Sequence, residues 1–328
     1  MSLIVLTCIL TVQIFYTYAW QIKGQAVGEN GLRMRIETSS VKSSSQKLSL
    51  HTLESKPWKN TPNPLLFLHG SYHSANCWEN FLPFFESNGY DVRACSLRGT
   101  GPTGMVTGET DRSVAINTHV ADLKKVLEAF NVPPIIVAHS FGGLVTMKML
   151  EDAGIRKRVK GVALLCSVPP SGNGPMTGRF IRRDGWAAFK IVRGFVFKAV
   201  KKNPDICRDL FFDERVGDGD IKEYMERFEA DSKVGIDLGS LKGNLPSDVS
   251  MSVSGVASYL EDGPSLAPKR LVLGAERDYI VDSQGVEETA TYFGTEARFV
   301  ETAYHDCMLG PVWPQTAQVI YDWLRTEF

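Results

Sequence analysis

Apolar and polar positions follow two distinct patterns along the 328-residue chain. Short apolar runs fall at 65–68, 92–97, 135–138, 159–166, 270–273 and 298–300. Runs of this length without alternation predict strands buried on both faces of a parallel sheet. Between them, 75–87, 119–130, 141–152, 282–293 and 316–327 carry apolar residues at helical spacing, which predicts helices packed on both faces of that sheet. Upstream, 32–38 and 48–53 alternate residue by residue and read as two strands of a hairpin closed at 43–46. The body is therefore predicted as an open, mostly parallel α/β architecture, with 47–168 its first part and 269–328 its second.

The interval 169–268 interrupts this order. It opens with Pro169-Pro170-Ser171-Gly172-Asn173-Gly174-Pro175 and contains no convincing strand. From 179 to 208 it has nine basic residues and two acidic, interleaved with Phe180, Trp186, Phe189, Phe195 and Phe197; from 209 to 237 it has ten acidic and four basic. An inserted helical cap over the sheet's edge fits this composition. Its charge reads either as a solvated face or as an amphipathic lid that touches a membrane surface.

Composition removes several function classes. With 36 Lys+Arg against 37 Asp+Glu and a net charge of −1, there is no electrostatic argument for nucleic acid as a partner. The six cysteines, Cys8, Cys77, Cys95, Cys166, Cys207 and Cys307, lie far apart without zinc spacing and read as small apolar core residues. Residues Met1 to Ile22 carry no charge, and Thr17 and Ala19 are the small residues a signal-peptidase site before Trp20 requires. Segment 1–19 thus reads as signal-peptide-like, with a retained anchor as the alternative. Segment 20–46 carries Lys23, Arg33, Arg35 and Lys42 among five serines, and reads as either presequence or N-terminal strand. A hydrophobic signal followed by a basic, Ser-rich stretch resembles the bipartite presequence of plastids acquired by secondary endosymbiosis; secretion and membrane anchoring are the alternatives.

Chemistry concentrates at three places. In Ile135-Ile136-Val137-Ala138-His139-Ser140-Phe141-Gly142-Gly143, a buried strand runs into a helix with Ser140 at the turn. A nucleophilic serine there needs a strained backbone flanked by small residues. Ala138 and Gly142 supply them, Ala138 departing from the usual glycine; the bland alternative is a helix cap. In Leu65-Leu66-Phe67-Leu68-His69-Gly70-Ser71-Tyr72-His73, Gly70 lets the chain turn so that the Ser71 N–H can face a developing oxyanion, with the Phe141 N–H as second donor. His69 is expected to hold that loop. A serine needs a base oriented by a carboxylate. His305 follows the last strand, and Asp278 sits on the loop after 270–273, with Glu276 and Asp282 as rivals on the same loop. Asp306, beside His305, is expected to be a helix or loop cap.

The order Ser140, Asp278, His305, the His-Gly turn upstream and the cap between the last strands together resemble the α/β-hydrolase fold family from about residue 48 to the end. Ser96-Leu97-Arg98-Gly99-Thr100-Gly101 is similar to the family's loop after the fourth strand. The likeness extends to plant and algal plastid-type members. It implies a serine hydrolase cleaving a carboxyl ester without cofactor or metal, the cap aromatics suggesting a lipid- or prenyl-ester-like substrate. The alternatives are a ligand-binding receptor or a lyase or transferase on the same fold. The match of 99–104 to G-x-G-x-x-G lacks a helix opening because of Pro102, and His69 and His73 lack the glutamate of a zinc helix.

Overall fold

The computed structural model describes residues 35–42, 47–54, 62–101, 113–183, 185–195, 198–246 and 268–328. The signal-like segment 1–19 lies outside the described residues, as does 20–46 apart from a strand at Arg35–Lys42. The architecture belongs to the compact unit Ile36–Phe328.

Among the described residues ten strands form: β1 (Arg35–Lys42), β2 (Lys47–Glu54), β3 (Leu65–Leu68), β4 (Val92–Cys95), β5 (Ser113–Val114), β6 (Ile135–His139), β7 (Gly161–Leu165), β8 (Gly235–Ile236), β9 (Lys269–Ala275) and β10 (Ala297–Val300). Eight of them make one sheet in the order β1-β2-β4-β3-β6-β7-β9-β10. From β4 to β10 every pairing is parallel, whereas β2 joins β4 antiparallel. All residues of β3, β6 and β7 are buried, as their unbroken apolar runs require of central parallel strands. Adjacent strands in register bring their C-terminal ends to one edge, where loops after β3, β6, β7 and β9 meet. Open α/β sheets place their sites in such a crevice.

The helices are α1 (Phe81–Ser87), α2 (Ile116–Glu128), α3 (Phe141–Leu150), α4 (Ala153–Arg156), α5 (Asn173–Arg183), α6 (Gly185–Phe195), α7 (Pro204–Phe211), α8 (Asp218–Asp231), α9 (Leu238–Leu241), α10 (Ser283–Phe293) and α11 (Trp313–Glu327). Helices α5 to α9 form the insert between β7 and β9; part of its length, 247–267, lies outside the described residues. One element there departs from expectation. Gly235–Ile236 pairs in parallel with Ser113–Val114, a strand too short to show alternation in sequence. The five described cysteines are buried and unbridged. Among the described residues, no helix is long and apolar enough to cross a membrane.

Candidate active site

Ser140 joins β6 to α3 with φ 51° and ψ −119°, a conformation that costs a non-glycine residue on the order of 1–3 kcal/mol. The surroundings over-determine it. Its N–H donates to the Leu165 carbonyl at 3.0 Å, and its carbonyl accepts from Gly143 at 3.0 Å and Val168 at 3.2 Å. A Cβ on Gly142 would lie 2.5 Å from the His69 carbonyl oxygen, so glycine there is a packing requirement. Gly70 has a φ outside the left-handed region, and a Cβ there would lie 2.7 Å from the Ser140 Cβ. Its role is to leave room for the serine. Ala138 is buried in β6 opposite Leu68 and Leu164, and the turn forms despite its methyl. The Ser140 hydroxyl does not cap the helix. It lies 3.1 Å from His305 Nε2.

The other His305 nitrogen, Nδ1, lies 2.9 Å from Asp278 Oδ2. Asp278 is fixed in turn, since its Oδ1 accepts from the Ile280 N–H at 2.7 Å and the Val281 N–H at 2.9 Å. That leaves Oδ2 for the imidazole and makes Nδ1 the protonated nitrogen and Nε2 the acceptor of the serine proton. Burial opposes a charge on His305, yet the charge and hydrogen bond of Asp278, with Asp306 adding, hold its pKa above the ordinary histidine value. The two rival acids are engaged elsewhere. Glu276 accepts the Thr302 N–H at 2.8 Å; Asp282 caps α10 through Gly285 and pairs bidentately with Arg179.

At the end of β3, His69 accepts the Leu97 N–H on Nε2 at 2.9 Å and donates from Nδ1 to the Gly70 carbonyl at 2.7 Å. It ties the loop after β3 to the loop after β4. Neither the Ser71 nor the Phe141 N–H has a hydrogen-bond acceptor among the described residues, as amides kept for a ligand oxygen would not.

The residues over the site come from the second half of the insert, which sequence reasoning missed. The Phe211 ring lies 5.8 Å from the His305 ring, and Phe228 lies 5.0 Å from His73 and 5.9 Å from Tyr72. The Ser74 hydroxyl donates to Asp231 at 2.8 Å, and Gly101 N–H to the Asp231 carbonyl at 2.8 Å. A phenylalanine at 211 and 228 on predicted helices was the available signal; nothing local said they would face His305. Of the aromatics singled out from sequence, Phe180 is buried and Phe189 exposed, while the side chains of Trp186, Phe195 and Phe197 lie outside the described residues.

Asp306 is not a cap. Its carboxylate pairs with His73 Nε2 at 3.0 Å, both side chains being buried. Two buried groups hold donor atoms within 4.8 Å of one another, Cys166 with Asp278 and His305, and His73 with His139 and Asp306. In the first, the carboxylate and the imidazole bond each other; in the second, His139 gives its Nε2 proton to the His305 carbonyl at 3.0 Å. The first is accounted for by that bond; in the second, His73 Nε2, His139 Nδ1 and both Asp306 carboxylate oxygens are buried without a hydrogen bond to a described residue, His73 Nε2 and Asp306 Oδ2 facing each other at 3.0 Å. The Cys166 thiol donates to Cys307 Sγ at 3.9 Å, and that bond, followed by burial, pushes the Cys166 thiol well above its ordinary value.

A model of the alpha/beta hydrolase family matches residues 65–313. A non-heme chloroperoxidase of Streptomyces lividans is 32% identical over 108 residues, 33% of this chain and 37% of that protein. Methylesterase 10 of Arabidopsis thaliana is 27% identical over 112 residues, 34% of this chain and 39% of its own length. The chain thus spans well under half the length of these curated relatives. An esterase structure from Exiguobacterium antarcticum superposes with a TM-score of 0.61 at 15% identity, covering 88% of this chain and all of that one, a likeness of fold.

Proposed function

The chain belongs to the alpha/beta hydrolase family, and from that premise we propose that it hydrolyses a carboxyl ester through Ser140, His305 and Asp278. The observation that carries this reading is the continuous line from Asp278 Oδ2 to His305 Nδ1 at 2.9 Å and from His305 Nε2 to Ser140 Oγ at 3.1 Å. In that reaction His305 takes the Ser140 proton as Oγ attacks the acyl carbon, and the N–H groups of Ser71 and Phe141 receive the oxyanion. The same proton passes to the leaving alcohol as the ester C–O bond breaks. Water then enters, gives its proton to His305 and attacks the acyl-serine; collapse releases the acid and returns the proton to Ser140. Asp278 stabilises the imidazolium and its tautomer. No step calls for a metal or cofactor.

The aromatic rings of Phe211, Phe228 and Tyr72 beside this line favour a substrate with a sizeable apolar part, such as a lipid or prenyl ester. Exposed Ile181 and Phe189 on the basic α5–α6 stretch favour a cap that touches a membrane surface. A removable plastid presequence would end before β1, which begins at Arg35; fusing residues 1–34 to a fluorescent reporter tests that placement.

Fluorophosphonate labelling and turnover of short and long p-nitrophenyl esters, each with Ser140→Ala beside the wild type, test the chemistry. Both are expected to vanish in Ser140→Ala, and long esters to be favoured. The acidic limb of kcat/KM is expected above the ordinary histidine value of about 6.5, because His305 must lose its proton to act as base and its pKa is raised. Labelling without turnover on any ester would point instead to a binding role.

A further inference from the structure

The peptide unit that joins His305 to Asp306 is held on both of its polar sides. Its carbonyl accepts from His139 Nε2 at 3.0 Å, and its N–H donates to the Phe211 carbonyl at 3.1 Å. His139 ends the strand that carries Ser140, and Phe211 ends α7 of the cap. On either side of this peptide the two side chains reach different partners. His305 meets Asp278 and Ser140, whereas Asp306 meets His73, two residues beyond Ser71. The oxyanion turn, the nucleophile strand, the histidine loop and the cap therefore converge on one peptide.

A polar side chain as buried as Asp306 needs a polar partner, and His73 is the group that faces it. A structural cap on an exposed loop would need neither this burial nor this partner.

We propose that Asp306 is a positioning residue for His305: facing His73, it locks the His305 backbone between the nucleophile strand and the cap and sets a second buried carboxylate beside the one that Asp278 supplies. This rests on the reading of His305 as the base of the ester hydrolysis above. The groups that face these two residues support it. Around His305 stand Asp278 from the loop after β9, Ser140 and His139 from the turn after β6, Cys166 from the end of β7 and Phe211 from α7. Around Asp306 stand His73 from the oxyanion turn and His139 at 3.9 Å, with the Cys77 and Cys207 thiols feeling its charge. Burial keeps both thiols neutral, raising Cys77 well above its ordinary value and Cys207 to about 12. Burial, followed by the neighbouring His305 and His73, likewise lowers His139 well below the histidine range. The negative charges on the imidazole of His305 are then those of Asp278 and Asp306, and both raise its affinity for a proton.

The test is the pH dependence of kcat/KM on a short p-nitrophenyl ester, with Asp306→Asn beside the wild type. Removing the charge lowers the proton affinity of His305, so the acidic limb moves to lower pH by at least about half a unit, well within what one charge a few ångströms away exerts at an effective dielectric constant near 20. Turnover above the limb falls as the loop loosens. A limb that stays in place or moves upward, with turnover reduced, would mean a structural role alone and overturns the proposal. Where Asp306→Asn does not fold, Asp306→Ser carries the same expectation. His73→Gln keeps a donor beside the carboxylate and leaves its charge in place; its limb stays at or above the wild-type pH, and a fall overturns the proposal. Titration of ¹³C-labelled histidines by NMR, with the His305 signal assigned by its loss in His305→Gln, reads the same shift without turnover. A shift there with no ester cleaved by the wild type would remove the proposed reaction and leave this inference standing.

Discussion

In the first half of the cap, helices α5 and α6, Ile181 is 59% and Phe189 50% exposed; in the second half, α7 and α8, Phe211 and Phe228 are each 1% exposed. Both halves are rich in aromatic residues and both are helical, yet they bind the body differently. The first half carries a charge tie beside the buried Met176 and Phe180: Arg179 of α5 pairs with Asp282 at the start of α10, at 2.7 and 2.8 Å. The second is tied by apolar packing around the site, Phe211 and Phe228 lying 5.0 Å apart and both contacting His73. Phe212 stacks on Tyr224 at 4.5 Å to join α7 to α8. Aromatic content alone does not tell which part of an insert covers a site. What decides is whether a complementary surface meets it, because burial of an aromatic ring stabilises only where the neighbouring surface also leaves water.

This contrast can be broken by substitution. Phe228→Ala removes a fully buried ring from the covering half, and an expected loss of about 3–5 kcal/mol of stability is read as a fall in the midpoint of urea unfolding. The proposed ester turnover of the folded fraction falls with it. If stability were unchanged, the second half would be a loose lid and the comparison would fail. Arg179→Gln leaves the buried Asp282 without its cation and with its amide cap only. An expected loss of about 1–3 kcal/mol, measured the same way, would confirm that the first half hangs on that pair, with kcat little changed. Phe189→Ser sharpens the other side. Its stability effect is expected to lie within about 0.5 kcal/mol, whereas binding to vesicles containing anionic lipid weakens if the outer half touches a membrane. Equal binding by the variant would return Phe189 to the ordinary class of singly exposed apolar residues.

The serine turn was legible because its requirements are local. The strand 135–138, the small Ala138 and Gly142 and the apex Ser140 occupy one stretch of chain, and the structure gives Ser140 the strained turn that they allow. His305 and Asp278 were legible by chain order, but Asp278, Glu276 and Asp282 lie within a few residues and sequence offers no reason to choose. Three backbone facts separate them: the Ile280 and Val281 amides hold Asp278, the Thr302 amide holds Glu276, and Asp282 caps a helix. The turn at Gly70 could be read from sequence; its closeness to Ser140 could not, since the two follow the ends of neighbouring strands far apart in the chain.

The sequence by itself determined the parallel sheet, the position of the insert and the serine turn. Each is an interaction between residues close in the chain, or a burial pattern written in consecutive positions. Tertiary structure alone decided that Phe211 and Phe228 close over the site, that Asp306 meets His73 rather than capping a helix, and that Gly70 makes room for Ser140. These contacts join segments far apart in sequence. Their energies depend on which surfaces the strand order 4-3-6-7-9 brings to one edge, and no local pattern of apolar and polar residues encodes that meeting.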